Sequence, residues 1–256
     1  MSAVEVHAIV SGRADGPTVV LSNSLGSDHR MWDAQVPELE KRFRVVRYDT
    51  RGHGSSPVPA GPYALDDLAD DLIALLDRLD IDTCHLVGLS LGGMTAMRVA
   101  ARNPERIDRL GLLCTAAALP PASVYTERAA LVREQGTGVV AEGVVSRWFT
   151  PDFLERNPGV RRKHEEMVAT TPDEGYAACC EVIAALDVRD DLASIKAPTL
   201  AIAGGDDLAT PPAKLAEIAD NIRDARLLVV PHSAHLAPAQ QPQIITPALI
   251  EHLEAS

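Results

Sequence analysis

Residues His85–Pro104 read HLVGLSLGGMTAMRVAARNP: an apolar, β-type run that breaks at Gly88-Leu89-Ser90-Leu91-Gly92 and resumes with the periodicity of a helix. G-x-S-x-G is a common short match, and its weight here comes from the strand before it and the helix after it. A strand that turns at once into a helix forces its central residue into strained backbone geometry, so the neighbours must do without side chains. Gly88, Gly92 and Gly93 meet that need. Such a turn lifts the Ser90 hydroxyl above the sheet edge. It also aims a helix N-terminus at the same point, where partial positive charge favours a developing oxyanion. Ser90 is thus the candidate nucleophile, and the Leu91 backbone N–H is one oxyanion donor.

Outward from this stretch, short β-rich runs alternate with longer helical patterns. VEVHAIV, PTVVLSNS and FRVVRYD precede HLVGLS; RLGLLCT, PTLAIAGG and RLLVVPH follow it. Several are nearly all apolar, as strands buried on both faces of a parallel sheet are. From Ala64 to Leu79, leucines and alanines recur at spacings of three and four. Asp66, Asp67, Asp70 and Asp71 on that helix read as a solvated face rather than a metal site. The alternation pauses after Cys114; Pro120 to about Leu192 reads as helices and turns, an inserted helical cap. It resumes at Pro198 and ends on an amphipathic helix near Ile244–Leu253. The expectation is an α/β fold in a single domain over 1–256, with a mostly parallel central sheet flanked by helices and the cap inserted at about 120–192.

Composition narrows the function. With 256 residues and 46% hydrophobic content, the chain can bury one full core. A net charge of −12 and a pI near 5.1 argue against nucleic acid and anionic membranes as partners, since both are polyanions. No stretch reaches the roughly 18 apolar residues of a membrane span, and MSAVEVHAIVSG lacks the basic start of a signal peptide. Cys84, Cys114, Cys179 and Cys180 include no C-x-x-C pair. They read as reduced packing residues, which suits a cytoplasmic location.

Serine is a weak nucleophile at neutral pH and needs a histidine base held by a carboxylate, in the chain order serine, acid, histidine for this arrangement. Only His232 and His235 follow closely on the last strand, in RLLVVPHSAHLAPAQQP. His235 is preferred, with Ser233-Ala234 forming a compact loop and Leu236-Ala237 beginning a helix; His85 reads as structural. TLAIAGGDDLATPP offers Asp206 and Asp207, and only one of two neighbouring side chains can reach the ring. Asp207 is preferred, because Thr210-Pro211-Pro212 then starts the next helix at a fixed offset. The second oxyanion donor belongs to the loop after an early strand, where LSNSLGSDHRMWD places Leu25.

Taken together, YDTRGHGSS (Tyr48–Ser56), VGLSLGG (Val87–Gly93), GGDDLATPP and PHSAHLAPAQQP resemble the α/β-hydrolases that include carboxylesterases, non-haem haloperoxidase-like enzymes and lactonases. LSNSLGSDHRMWD, RWFTPDF (Arg147–Phe153) and DEGYAACCEVIAALDVRDDL (Asp173–Leu192) are more specific and are similar to the 3-oxoadipate enol-lactonases of the β-ketoadipate pathway, over nearly the whole chain. Two of these segments fall in the cap, where substrate preference is decided. The resemblance implies an α/β-hydrolase fold, no cofactor and no metal, and a small anionic lactone as substrate. It further implies attack by Ser90 on the lactone carbonyl, with His235 as base, Asp207 steadying the ring, and the Leu25 and Leu91 amides holding the oxyanion. The substrate's carboxylate calls for a local cation in the cap. Arg133 and Arg147 are the candidates, Arg133 slightly preferred, and Trp148 is a candidate aromatic wall. A broad carboxylesterase or perhydrolase, and a ligand-binding relative without turnover, are the alternatives.

Overall fold

The computed structural model of the chain describes residues 2–255. Among them seven strands form one sheet: β1 (Ala8–Gly12), β2 (Thr18–Ser22), β3 (Arg44–Tyr48), β4 (Cys84–Leu89), β5 (Ile107–Leu113), β6 (Thr199–Gly204) and β7 (Ala225–Val230). The spatial order is β1-β3-β2-β4-β5-β6-β7, with β1 antiparallel to β3 and every other pair parallel. Each of the seven strands overlaps a β-rich run of the sequence, although β1 begins only at Ala8, four residues into VEVHAIV. β4 and β6 are buried at every position, which is why they read as continuous apolar runs rather than alternating ones.

Between strands run α1 (Val36–Leu39), α2 (Leu65–Arg78) and α3 (Leu91–Arg102). Between β5 and β6 five helices form the cap: α4 (Ser123–Gln135), α5 (Ala141–Trp148), α6 (Pro151–Arg156), α7 (Pro158–Ala169) and α8 (Asp173–Ala184). Then come α9 (Pro212–Asn221), α10 (Ala237–Gln240) and α11 (Pro242–Glu254). The inserted cap is therefore present where the alternation pauses, with α4 packed along α8.

The acids of α2 do not form one solvated face. Asp66 is exposed and Asp70 half-buried, and they pair with Arg98 and Arg102, but Asp67 and Asp71 are buried. The spacing of four places those two on the same inward face of the helix. Asp71 accepts Nε and a terminal nitrogen of the fully buried Arg51, both at 2.6 Å, so two charges that the core would not tolerate singly are buried as a pair.

The cap meets the sheet layer at bare backbone. Gly52, at φ 76°, lies against Gly175 of α8, and a Cβ on either would overlap the main chain of the other. This close approach accounts for the glycines in YDTRGHGSS and DEGYAACC.

Candidate active site

Ser90 stands between β4 and α3 at φ 56°, ψ −117°, outside the regions ordinary residues favour. Its N–H donates to Leu113 O at 3.0 Å, and its carbonyl accepts from Met94 N–H at 2.9 Å and the Thr115 hydroxyl at 2.8 Å. Such fixed partners are what hold a strained residue in place. A Cβ on Gly88 would strike the Gly92 carbonyl, and one on Gly92 would strike Ser22 O, so side chains at either position are excluded by backbone.

Asp207 follows β6 and His235 follows β7. His235 Nδ1 lies 2.8 Å from Asp207 Oδ2, with both residues buried. Asp207 also accepts the N–H groups of Ala209 and Thr210 at 2.8 and 3.1 Å and the Thr210 hydroxyl at 2.7 Å. Burial opposes its ionisation, but the His235 ring and the Thr210 donors outweigh it and hold the carboxyl below its ordinary value. An ionised carboxylate only accepts, so Nδ1 carries the ring proton and Nε2 is the basic nitrogen. Asp206 and His232 both face solvent. Asp206 is tied through its backbone N–H to Ser233 O at 2.9 Å. His85 is buried in β4 against Phe43, ring centroids 5.9 Å apart.

The loop after β2 carries Leu25 beside Ser90, and both line one cavity. Its shape is set from outside: Gly26 N–H donates to Nε2 of the buried His53 at 3.0 Å, while His53 Nδ1 donates to Arg51 O at 3.2 Å. That pairing requires a neutral ring, and burial lowers the His53 pKa accordingly. Leu91 opens α3, where the first N–H groups have no partner within the helix.

His235, Trp148, Tyr176, Arg128 and Arg147 line the same cavity of about 210 Å³, small enough to suit a metabolite rather than a long chain. Trp148 is buried and edge-on to His164, with ring centroids 6.1 Å apart. Arg133 lies apart from this cavity. Its guanidinium is held by Glu174 at 2.8 Å and by Glu181, and it does not line the cavity. Arg128, on the same helix, lines it instead. Residues five apart on an α-helix are rotated by about 140°, so both cannot face one pocket.

The sequence model of the alpha/beta hydrolase fold matches residues 17–242. The chain belongs to the α/β-hydrolase family. This hydrolase is 40% identical over 246 residues to 3-oxoadipate enol-lactonase 2 of Acinetobacter baylyi, covering 96% of this chain and 92% of that one. The crystal structure of the enol-lactonase from Burkholderia xenovorans LB400 superposes with a TM-score of 0.96 at 40% identity, covering 98% of this chain and 97% of that one. A thermophilic esterase from Thermogutta terrifontis, in its malate-bound structure, gives 0.91 at 33% identity, covering 97% and 92%.

Three further residues of the hydrolase bear on the site. The Thr210 hydroxyl bonds Asp207, and its place three residues after the acid was the available signal. His53 sits in the motif YDTRGHGSS, but nothing local shows that its partner is Gly26. Gln240 ties the histidine loop to the cap: its Oε1 accepts Ala234 N–H at 3.1 Å, and its Nε2 donates to the Thr150 hydroxyl at 2.6 Å and to His232 O at 3.2 Å. Leu236 N–H adds a bond to Trp148 O at 2.7 Å. The contacts to Thr150 and Trp148 span about 90 residues of sequence and leave no local trace.

Proposed function

We propose that this hydrolase opens 3-oxoadipate enol-lactone to 3-oxoadipate through an acyl-enzyme on Ser90. The observation that carries the reading is the cavity: it brings Ser90 and His235 together with two arginines and no lining carboxylate, in a chain of net charge −12. A site of that composition suits an anionic ester, and the enol-lactonase relatives match across core and cap alike.

In this mechanism His235 Nε2 takes the Ser90 proton as Oγ attacks the lactone carbonyl, and the ionised Asp207 stabilises the imidazolium. The Leu25 and Leu91 amides hold the oxyanion. Collapse breaks the ring C–O bond, and the imidazolium returns its proton to the enol oxygen. The opened ring stays attached to Ser90 and tautomerises to the ketone. Water, deprotonated by His235, then attacks the acyl carbonyl; the bond to Ser90 Oγ breaks, the imidazolium returns its proton to that oxygen, and 3-oxoadipate is freed. The four cysteines, all free and buried, support a cytoplasmic setting.

The test is turnover of enzymatically generated enol-lactone against 4-nitrophenyl acetate. A kcat/KM for the lactone at least about 100-fold higher is expected if binding energy is spent on that ring and its carboxylate. Comparable values, or preference for the simple ester, favour the broad-esterase reading, to which the likeness to the Thermogutta esterase lends weight.

A further inference from the structure

Several arginines that do not line the cavity are held by carboxylates. Arg51 holds Asp71, Arg98 holds Asp191, and Arg133 holds Glu174 and Glu181. Arg128 has no carboxylate partner among the described residues. Its guanidinium carbon lies 5.3 Å from the centre of the Tyr125 ring, one turn back on α4. Stacking of this kind orients the planar group without using the N–H donors at its edge. Beside it Tyr176 is fully buried with its hydroxyl oxygen against the Arg128 guanidinium, and no acceptor among the described residues takes the hydroxyl proton. Arg147, the other cation of the cavity, is exposed and gives Nε to Gly143 O at 3.2 Å.

A guanidinium without a carboxylate and a buried O–H without an acceptor stand on one wall, and a carboxylate supplies oxygens for both. Arg128 is half-buried, so its attraction is screened less than that of Arg147, and at short range it overcomes the repulsion of a −12 protein. The geometry points to Arg128, with the Tyr176 hydroxyl beside it, as the site that binds the far carboxylate of the acyl chain and selects ω-carboxyacyl substrates. This deepens the enol-lactone reading, on which the identity of the natural substrate rests, since the acyl chain formed from that lactone ends in a carboxylate.

The experiment compares mono-4-nitrophenyl adipate with 4-nitrophenyl hexanoate, whose acyl chains have equal carbon number and differ in the terminal carboxylate. The readout is the ratio of their kcat/KM values. Arg128→Gln should lower this ratio on the order of 50-fold, mainly through KM of the adipate ester, as loss of a charge-assisted pair does. Tyr176→Phe should lower it about fivefold, one neutral hydrogen bond. Arg133→Gln should leave it within about twofold, because that side chain is spent on Glu174 and Glu181. An unchanged ratio in Arg128→Gln, or a loss that appears in Arg147→Gln instead, overturns the assignment. Should Arg128→Gln not fold, Arg128→Lys decides: a drop of about fivefold, from loss of the planar fork, supports the proposal and an unchanged ratio overturns it. Failure of the enol-lactone reading looks different, since the parent would then keep its preference for the adipate ester while turning over the enol-lactone no faster than the hexanoate.

Discussion

The shelf above the sheet and the cap over it hold their functional groups by different means. Ser90, Asp207 and His235 stand on turns that follow β4, β6 and β7, and each is buried, the first two pinned by backbone and His235 by the Asp207 carboxylate. Ser90 is fixed by glycines that admit no Cβ, and Asp207 by two main-chain N–H groups. Tyr125, Arg128 and Trp148 instead project from α4 and α5, where the rotation of a helix about its axis decides what faces the cavity. A rigid shelf can carry the reaction while the cap is exchanged, so the reaction class is a property of the shelf and the substrate is a property of the cap.

The sharpest way to break that division is at Ser90. Ser90→Ala and His235→Ala should each lower kcat on the order of 10⁴-fold or more with the fold intact by circular dichroism. Pure Ser90→Ala within about tenfold of the parent would remove the nucleophile from the shelf. Asp207→Asn should cost on the order of 10³- to 10⁴-fold in kcat through the wrong ring tautomer, while solvent-facing Asp206→Asn should stay within about twofold. Equal losses at the two acids would mean that the 2.8 Å pair with His235 is not the one that matters.

Smaller effects test the seam between the regions. Gly175→Ala sets a Cβ against the Gly52 main chain, which cannot yield as a side chain would. We expect about 2 kcal/mol of destabilisation in a denaturant titration, together with a raised KM, as for other overpacked contacts. Gln240→Leu removes the bridge from the histidine loop to Thr150 and should lower kcat/KM about tenfold, whereas His232→Ala should have little effect. A Gln240 variant indistinguishable from the parent would show that the shelf needs no support from the cap.

The mildest effect is in pH. Burial lowers the pKa of His53, His85, His164 and His252, the last from 6.5 to about 4. Below 6.5 the unfolded chain takes up protons that the folded chain refuses, so folded stability falls as pH drops from 6.5 towards 4. His53, His85 and His252 belong to the sheet layer and its loops and only His164 to the cap, so the loss should centre on the sheet layer. Denaturant midpoints at pH 7.5 and 5 measure it, and equal midpoints would contradict the burial argument.

What the sequence by itself determined was whatever the backbone demands locally. Apolar runs specified the strands, most plainly β4 and β6, because strands covered on both faces exclude polar residues, and the glycines around Ser90 specified the elbow, because no other residue fits there. The offsets within GGDDLATPP and PHSAHLAPAQQP favoured Asp207 over Asp206 and His235 over His232, and in the structure the favoured member of each pair is buried while its neighbour faces solvent. Only the tertiary structure decided what depends on which faces meet. Asp71 reads as one of four surface acids until Arg51 is brought to it from 20 residues away. Arg128 and Arg133 are alike as letters on one helix, yet α8 supplies Glu174 and Glu181 to one and leaves the other over the cavity. A helix shows its periodicity in sequence but not the angle at which it is set against its neighbours, and that angle depends on packing between segments far apart in the chain.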